Sequence, residues 1–180
     1  MRTVFSVLLS TVFLLAGDGF AQSAGTPTPT RRVTTDHLQI ATYASLETVT
    51  PGTPFSLVFD IRPRERMHVY APGADGYRII TVALEPNPVL ETKPLQYPAS
   101  EIYHFEPIDE HVPVFQKPFR LTQPVAVSAA PERQQAVAAL DELTIKATLE
   151  YQACDDRICF SPKSVPVSYT IKLRSAGPAH

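Results

Sequence analysis

An all-β sandwich is the architecture to expect from this chain, on the evidence of its prolines, its alternation and its turns. Eighteen prolines in 180 residues are about twice the usual frequency, and prolines at that density interrupt long helices. Apolar and polar residues alternate with a period of two in three separate segments, the pattern of strands with one buried face. Turn-forming residues punctuate the intervals, and several short strands separated in this way pack as facing layers.

At the N-terminus, Met1 and Arg2 precede the apolar run from Val4 to Ala16, and Gly19-Phe20-Ala21 offers the small residues that a signal peptidase reads. A cleaved leader over residues 1–21 is expected, because the run is shorter than the roughly 20 apolar residues that cross a bilayer. No cysteine follows the run to carry a lipid, and no second long apolar stretch occurs. The mature chain is therefore expected to be exported and soluble, in a periplasm or outside the cell. Residues 22–34, with Thr26-Pro27-Thr28-Pro29-Thr30, read as a flexible lead-in, residues 35–174 as one domain and residues 175–180 as a tail.

The clearest strand begins with Phe55, Leu57, Phe59 and Ile61, alternating with Ser56, Val58, Asp60 and Arg62. Leu143, Ile145, Ala147, Leu149 and Tyr151 repeat the pattern, as do Val165, Val167, Tyr169, Ile171 and Leu173. Weaker strands are expected from His37 to Ala44, Met67 to Tyr70, Arg78 to Leu84 and Phe119 to Val127. Pro51-Gly52 and Pro72-Gly73-Ala74-Asp75-Gly76 supply turns between them. One short helix is expected within 131–140, where Pro131 suits a first helical position.

A formal net charge of −2 with interspersed signs leaves no basic stripe for nucleic acid. The sequence offers no phosphate-binding glycine loop and no nucleophile elbow. His68, His104 and His111 are not spaced as a metal motif, so neither metal nor cofactor is expected. Chemistry concentrates instead at Cys154 and Cys159, the two cysteines of the chain, with four residues between them. Cysteines facing across a hairpin have Cα atoms about 4.5 to 5.5 Å apart, within disulfide range, and an exported chain favours that pairing. So small a loop gives a staple worth roughly 2 kcal/mol, and a short-loop pair near a strand end is open to exchange with a partner thiol. Spacing and compartment leave the structural and redox readings both open. The neighbouring Asp155, Asp156 and Arg157 read either as a solvated hairpin tip or as a recognition surface.

Tyr151-Gln152-Ala153-Cys154 followed by Cys159-Phe160-Ser161-Pro162 resembles the active-site hairpin of the N-terminal periplasmic domain of the thiol:disulfide interchange protein DsbD. Met67-His68-Val69-Tyr70-Ala71-Pro72 is similar to the family segment whose aromatic residues sit near the cysteines. Ile102-Tyr103-His104-Phe105 falls where a cap loop would shield them. The resemblance implies an immunoglobulin-like fold and a cysteine pair that shuttles electrons. It implies Cys159 as the sulfur of the mixed disulfide and Cys154 as the resolving one, with Phe105, Tyr103, Tyr70 and His68 lining the site. The implied partners are thioredoxin-like exported proteins and a membrane electron donor; because the sequence carries no membrane conductor after this domain, they are expected on separate chains, and the domain is expected to be a monomer. The contrasting expectation, from a different class, is an exported immunoglobulin-like binding module whose disulfide only stiffens a hairpin.

Overall fold

The computed structural model describes residues 26–28, 30–106 and 109–174. The expected leader, residues 22–25 of the lead-in and the C-terminal tail lie outside the described residues. Strands β1 (Arg31–Thr34), β2 (Leu38–Ala44), β4 (Pro54–Pro63), β10 (Phe119–Val127) and β7 (Leu90–Thr92) form one sheet, in the order β1-β2-β4-β10-β7. A second sheet has the order β3-β13-β11-β6, from β3 (Thr48–Val49), β13 (Lys163–Leu173), β11 (Glu142–Tyr151) and β6 (Thr81–Leu84). A third, smaller sheet has the order β12-β5-β9-β8, from β12 (Ala153–Cys154), β5 (His68–Tyr70), β9 (Glu110–Phe115) and β8 (Glu101–Phe105).

The first two sheets enclose the main core, and period-two alternation decides which side chains enter it. Leu57 and Phe59 from β4, Leu121 from β10, Leu149 from β11 and Ile171 from β13 are all 0% exposed. Burying side chains of this size stabilises the fold by about 1.5–3 kcal/mol each. Tyr169 crosses the gap, its ring edge-on to Phe59 and its hydroxyl directed at the Val58 carbonyl. Pro166 is tolerated because it sits where β13 has β11 on one side and its short partner β3 pairs only farther along, at Lys172 and Leu173.

All seven segments expected as strands contain strands. The expected helix resolves into a tight turn at Pro131–Arg133 followed by α1 (Gln134–Ala138), which buries Val137. One difference from the sequence reading lies at β1, inside the segment expected to be a flexible lead-in. Its four residues pair antiparallel with β2, from Arg31 opposite Thr42 to Thr34 opposite Gln39. Val33 packs on the core, and the Thr28 hydroxyl accepts the Ala44 amide at 2.6 Å. The polar composition of this segment hid an edge strand, where one face and one ladder suffice. The third sheet, which carries the cysteines, is a separate layer that the sequence pattern does not announce.

Candidate functional site

After Tyr151 the chain leaves the second sheet, and Ala153 and Cys154 pair instead with Val69 and His68 of β5. This step delivers the cysteine loop to the third sheet. Cys154 and Cys159 form a single antiparallel bridge and a disulfide with Cα atoms 4.0 Å apart, closer than the hairpin estimate. The loop between them is locked locally. Asp155 Oδ1 accepts the amides of Arg157 at 2.7 Å and Ile158 at 2.8 Å, an Asx turn, and the Asp155 amide donates to the Ile158 carbonyl. These backbone donors hold the Asp155 carboxyl below its usual pKa range. A hydrogen bond from Arg66 does the same for Asp156 and ties the loop to the turn before β5.

The two sulfurs have different surroundings. Cys154 is 1% exposed, within a small cluster of Tyr70, Ala74, Val112 and Val114, whereas Cys159 is exposed on the rim. Tyr70 reaches both, with its hydroxyl 3.3 Å from Cys154 Sγ and 3.4 Å from Cys159 Sγ. Burial is the main cause that raises the Tyr70 pKa far above that of a free phenol, with Tyr77 and Glu110 adding to it, so the hydroxyl keeps its proton.

A cleft of about 150 Å³ opens over the disulfide. His68, Tyr70, Tyr103, Phe105, Cys154 and Cys159, all six residues selected from the sequence, line it. Tyr103 and Phe105 come from β8, where alternation turns their half-buried side chains to one side and exposes Ile102 and His104. The Tyr103 ring lies on His68, with centroids 4.6 Å apart, so the β8–β9 hairpin is packed against the floor of the cleft. Burial is the chief cause that lowers the His68 pKa, opposed by the Asp155 charge, and the imidazole is neutral near pH 7.

Tyr77 and Glu110 belong to the same wall and escaped the sequence reading. The turn from Pro72 to Gly76, with Gly73 and Gly76 at φ 93° and 81°, folds Tyr77 back to stack on Tyr70 at 4.0 Å. Its hydroxyl donates to Glu110 at 2.5 Å, and that bond is the main reason its pKa is raised. Only the glycines of that turn could have signalled this. A larger groove of about 650 Å³ lies on the open face of β1, β2 and β4, is lined by none of these residues, and contains the Arg120–Asp60 ion pair.

The chain is thus of the class of β-sandwich domains that carry a short-loop disulfide at the end of one sheet, here with one cysteine buried and the other exposed. The particular family follows from the comparison with known proteins: the family model described as "Thiol:disulfide interchange protein DsbD, N-terminal" matches residues 36–170, and the chain belongs to that family. The thiol:disulfide interchange protein DsbD of Actinobacillus pleuropneumoniae serotype 5b (strain L20) is 35% identical over 96 residues. That alignment covers 53% of this chain and only 14% of the relative's length. Among solved structures, the N-terminal periplasmic domain of ScsB from Proteus mirabilis superposes with a TM-score of 0.51 at 10% identity, over 82% of this chain and 51% of that one. The Neisseria meningitidis DsbD N-terminal domain in the reduced form gives a TM-score of 0.45 at 14% identity, over 65% of this chain and 78% of that one. The fold is the immunoglobulin-like sandwich that the sequence resemblance implied.

Proposed function

We propose that the Cys154–Cys159 pair cycles between disulfide and dithiol, passing electrons from a membrane electron donor to thioredoxin-like exported proteins. The observation that carries this reading is the asymmetry of the sulfurs, one 1% exposed and the other on the surface beside an aromatic cleft. A donor thiolate attacks Cys159 Sγ, the intramolecular S–S bond breaks, and Cys154 leaves as a thiolate beside the Tyr70 O–H. A second donor thiolate then attacks the donor sulfur of the mixed disulfide, releasing Cys159 and completing a two-electron, two-proton reduction. In the forward half, Cys159 thiolate attacks an acceptor disulfide and expels one acceptor thiolate. Cys154 then attacks Cys159 Sγ, freeing the second acceptor thiol and restoring the internal disulfide. Cys159 is thus the exchanging sulfur and Cys154 the resolving one.

Tyr103, Phe105, His68 and Tyr70 act as the lining that limits access to the pair, and exposed Ile158, next to Cys159, offers an apolar contact to a docking protein. The leader-like N-terminus supports an exported, periplasmic location, and no described helix is long and apolar enough to cross a membrane. The test is a redox titration of the folded protein in glutathione buffers, read by mass after alkylation. An exchanging pair equilibrates natively at a potential above the roughly −300 mV typical of structural disulfides. Reduction that occurs only on unfolding assigns the disulfide to a staple in a binding module instead.

A further inference from the structure

The face of the β8–β9 hairpin that points away from the disulfide carries a second group of chemically capable side chains. In the antiparallel register His104 stands directly opposite His111, and their rings lie parallel, 4.2 Å apart with an interplanar angle of 10°. Asp109 occupies the left-handed region at φ 51°, which aspartate tolerates better than most residues, and its Oδ1 lies 2.8 Å from His104 Nε2. The donor atoms of the three residues all lie within 4.8 Å of one another, and all three residues are exposed.

We propose that His104, Asp109 and His111 bind a divalent transition-metal ion of the Zn²⁺ type. Two imidazole nitrogens and one carboxylate suit such an ion, whereas Mg²⁺ and Ca²⁺ demand oxygen ligands throughout. Bond lengths of roughly 2.0–2.1 Å in a tetrahedron place ligand atoms about 3.3 Å apart. Exposed imidazoles reach that spacing by rotating about their side-chain bonds, and solvent fills the remaining position. Glu110 and Val112 face the cleft from the same strand that presents His111 outward. The ion would therefore fasten β8 to β9 on the side opposite the cleft. The sequence hid this site because its ligands converge only through the register of the hairpin. The proposal does not depend on the redox reading.

Calorimetric titration of the oxidised full chain with Zn²⁺ tests it, since a disulfide denies the cysteines to the metal. One ion per chain is expected. His104→Ala and His111→Ala should each weaken binding by more than about tenfold, because losing even an outer hydrogen-bond partner of a metal ligand costs tenfold or more. Asp109→Asn should also weaken it. His37, His68 and His180 remain in every variant, so they cannot account for the loss. His111→Gln, which keeps a polar strand residue, provides the same comparison should the alanine variants lose their fold by circular dichroism. Hydrogen exchange across 101–115 should slow with Zn²⁺ in the parent and not in the variants. Absence of saturable Zn²⁺ uptake by the parent, or uptake unchanged in the folded histidine variants, overturns the proposal.

Discussion

The hydroxyl of Tyr70 lies 3.3 Å from the buried sulfur of Cys154 and stays protonated because its surroundings are desolvated. An O–H fixed at that distance stabilises a thiolate that forms there when the disulfide opens. Hydrogen bonds to charged groups are worth about 1.5–3 kcal/mol. Tyr70→Phe keeps the ring that stacks on Tyr77 and removes only this donor. Reduction by a small thiol, followed by stopped flow, should slow on the order of tenfold, with thermal stability nearly unchanged. An unaltered rate would remove the hydroxyl from the chemistry.

Phe105 tests the lining from the opposite side of the cleft. It is half-buried, so its truncation costs less than a core deletion, and access limits thiol reactions as much as acidity does. In the reduced protein, Phe105→Ala should speed alkylation by a small reagent several-fold while the circular dichroism spectrum is retained. Equal rates in a folded variant would show that Phe105 shields nothing.

What the sequence made legible was governed by burial. β4, β11 and β13 announced themselves because each sets Leu, Ile or aromatic residues at alternate positions against one core, from Phe55 to Ile61 and from Leu143 to Tyr151. The cysteine loop was legible because its pairing is local. Contacts made by register or by a reversing turn were not. Tyr77 meets Tyr70 only through the positive-φ glycines at 73 and 76, and Glu110 meets Tyr77 only because β9 folds beside β5. His104 and His111 likewise stand in the sequence as isolated histidines, since no spacing rule reports a cross-strand pair. β1 was missed because an edge strand with one inward valine has almost no hydrophobic pattern.

Burial of His68 and His37 gives stability a pH dependence of definite sign. Both imidazoles have pKa values below 6.5 in the folded chain, chiefly through desolvation, and His37 Nδ1 is buried with no hydrogen-bond partner among the described residues. The unfolded chain therefore binds more protons than the native one in the window from the folded pKa values up to 6.5. Stability should rise with pH through that window and be lost as the pH falls through it. Urea midpoints measured from pH 7.5 down to about pH 5 should fall, and the slope should flatten in His68→Phe. A midpoint that is flat or rises on acidification would contradict the burial argument.

Exposure also dictates which single-cysteine variant captures a partner. With Cys154→Ala, the surface sulfur of Cys159 has no resolving neighbour, so any mixed disulfide it forms persists. With Cys159→Ala, the remaining thiol is Cys154, 1% exposed beneath Tyr70 and Val112, and a protein disulfide cannot reach it without moving the hairpin. Affinity is a poor readout, since transient redox encounters have small interfaces. The covalent adduct is the direct one. Incubated with an oxidised thioredoxin-like exported protein, Cys154→Ala should give a band that disappears on reduction, several-fold stronger than that from Cys159→Ala or from the double variant. Adduct from Cys159→Ala alone would reverse the roles of the two sulfurs. Adduct from neither variant, with both folded, would end the shuttle reading and leave the disulfide a structural link.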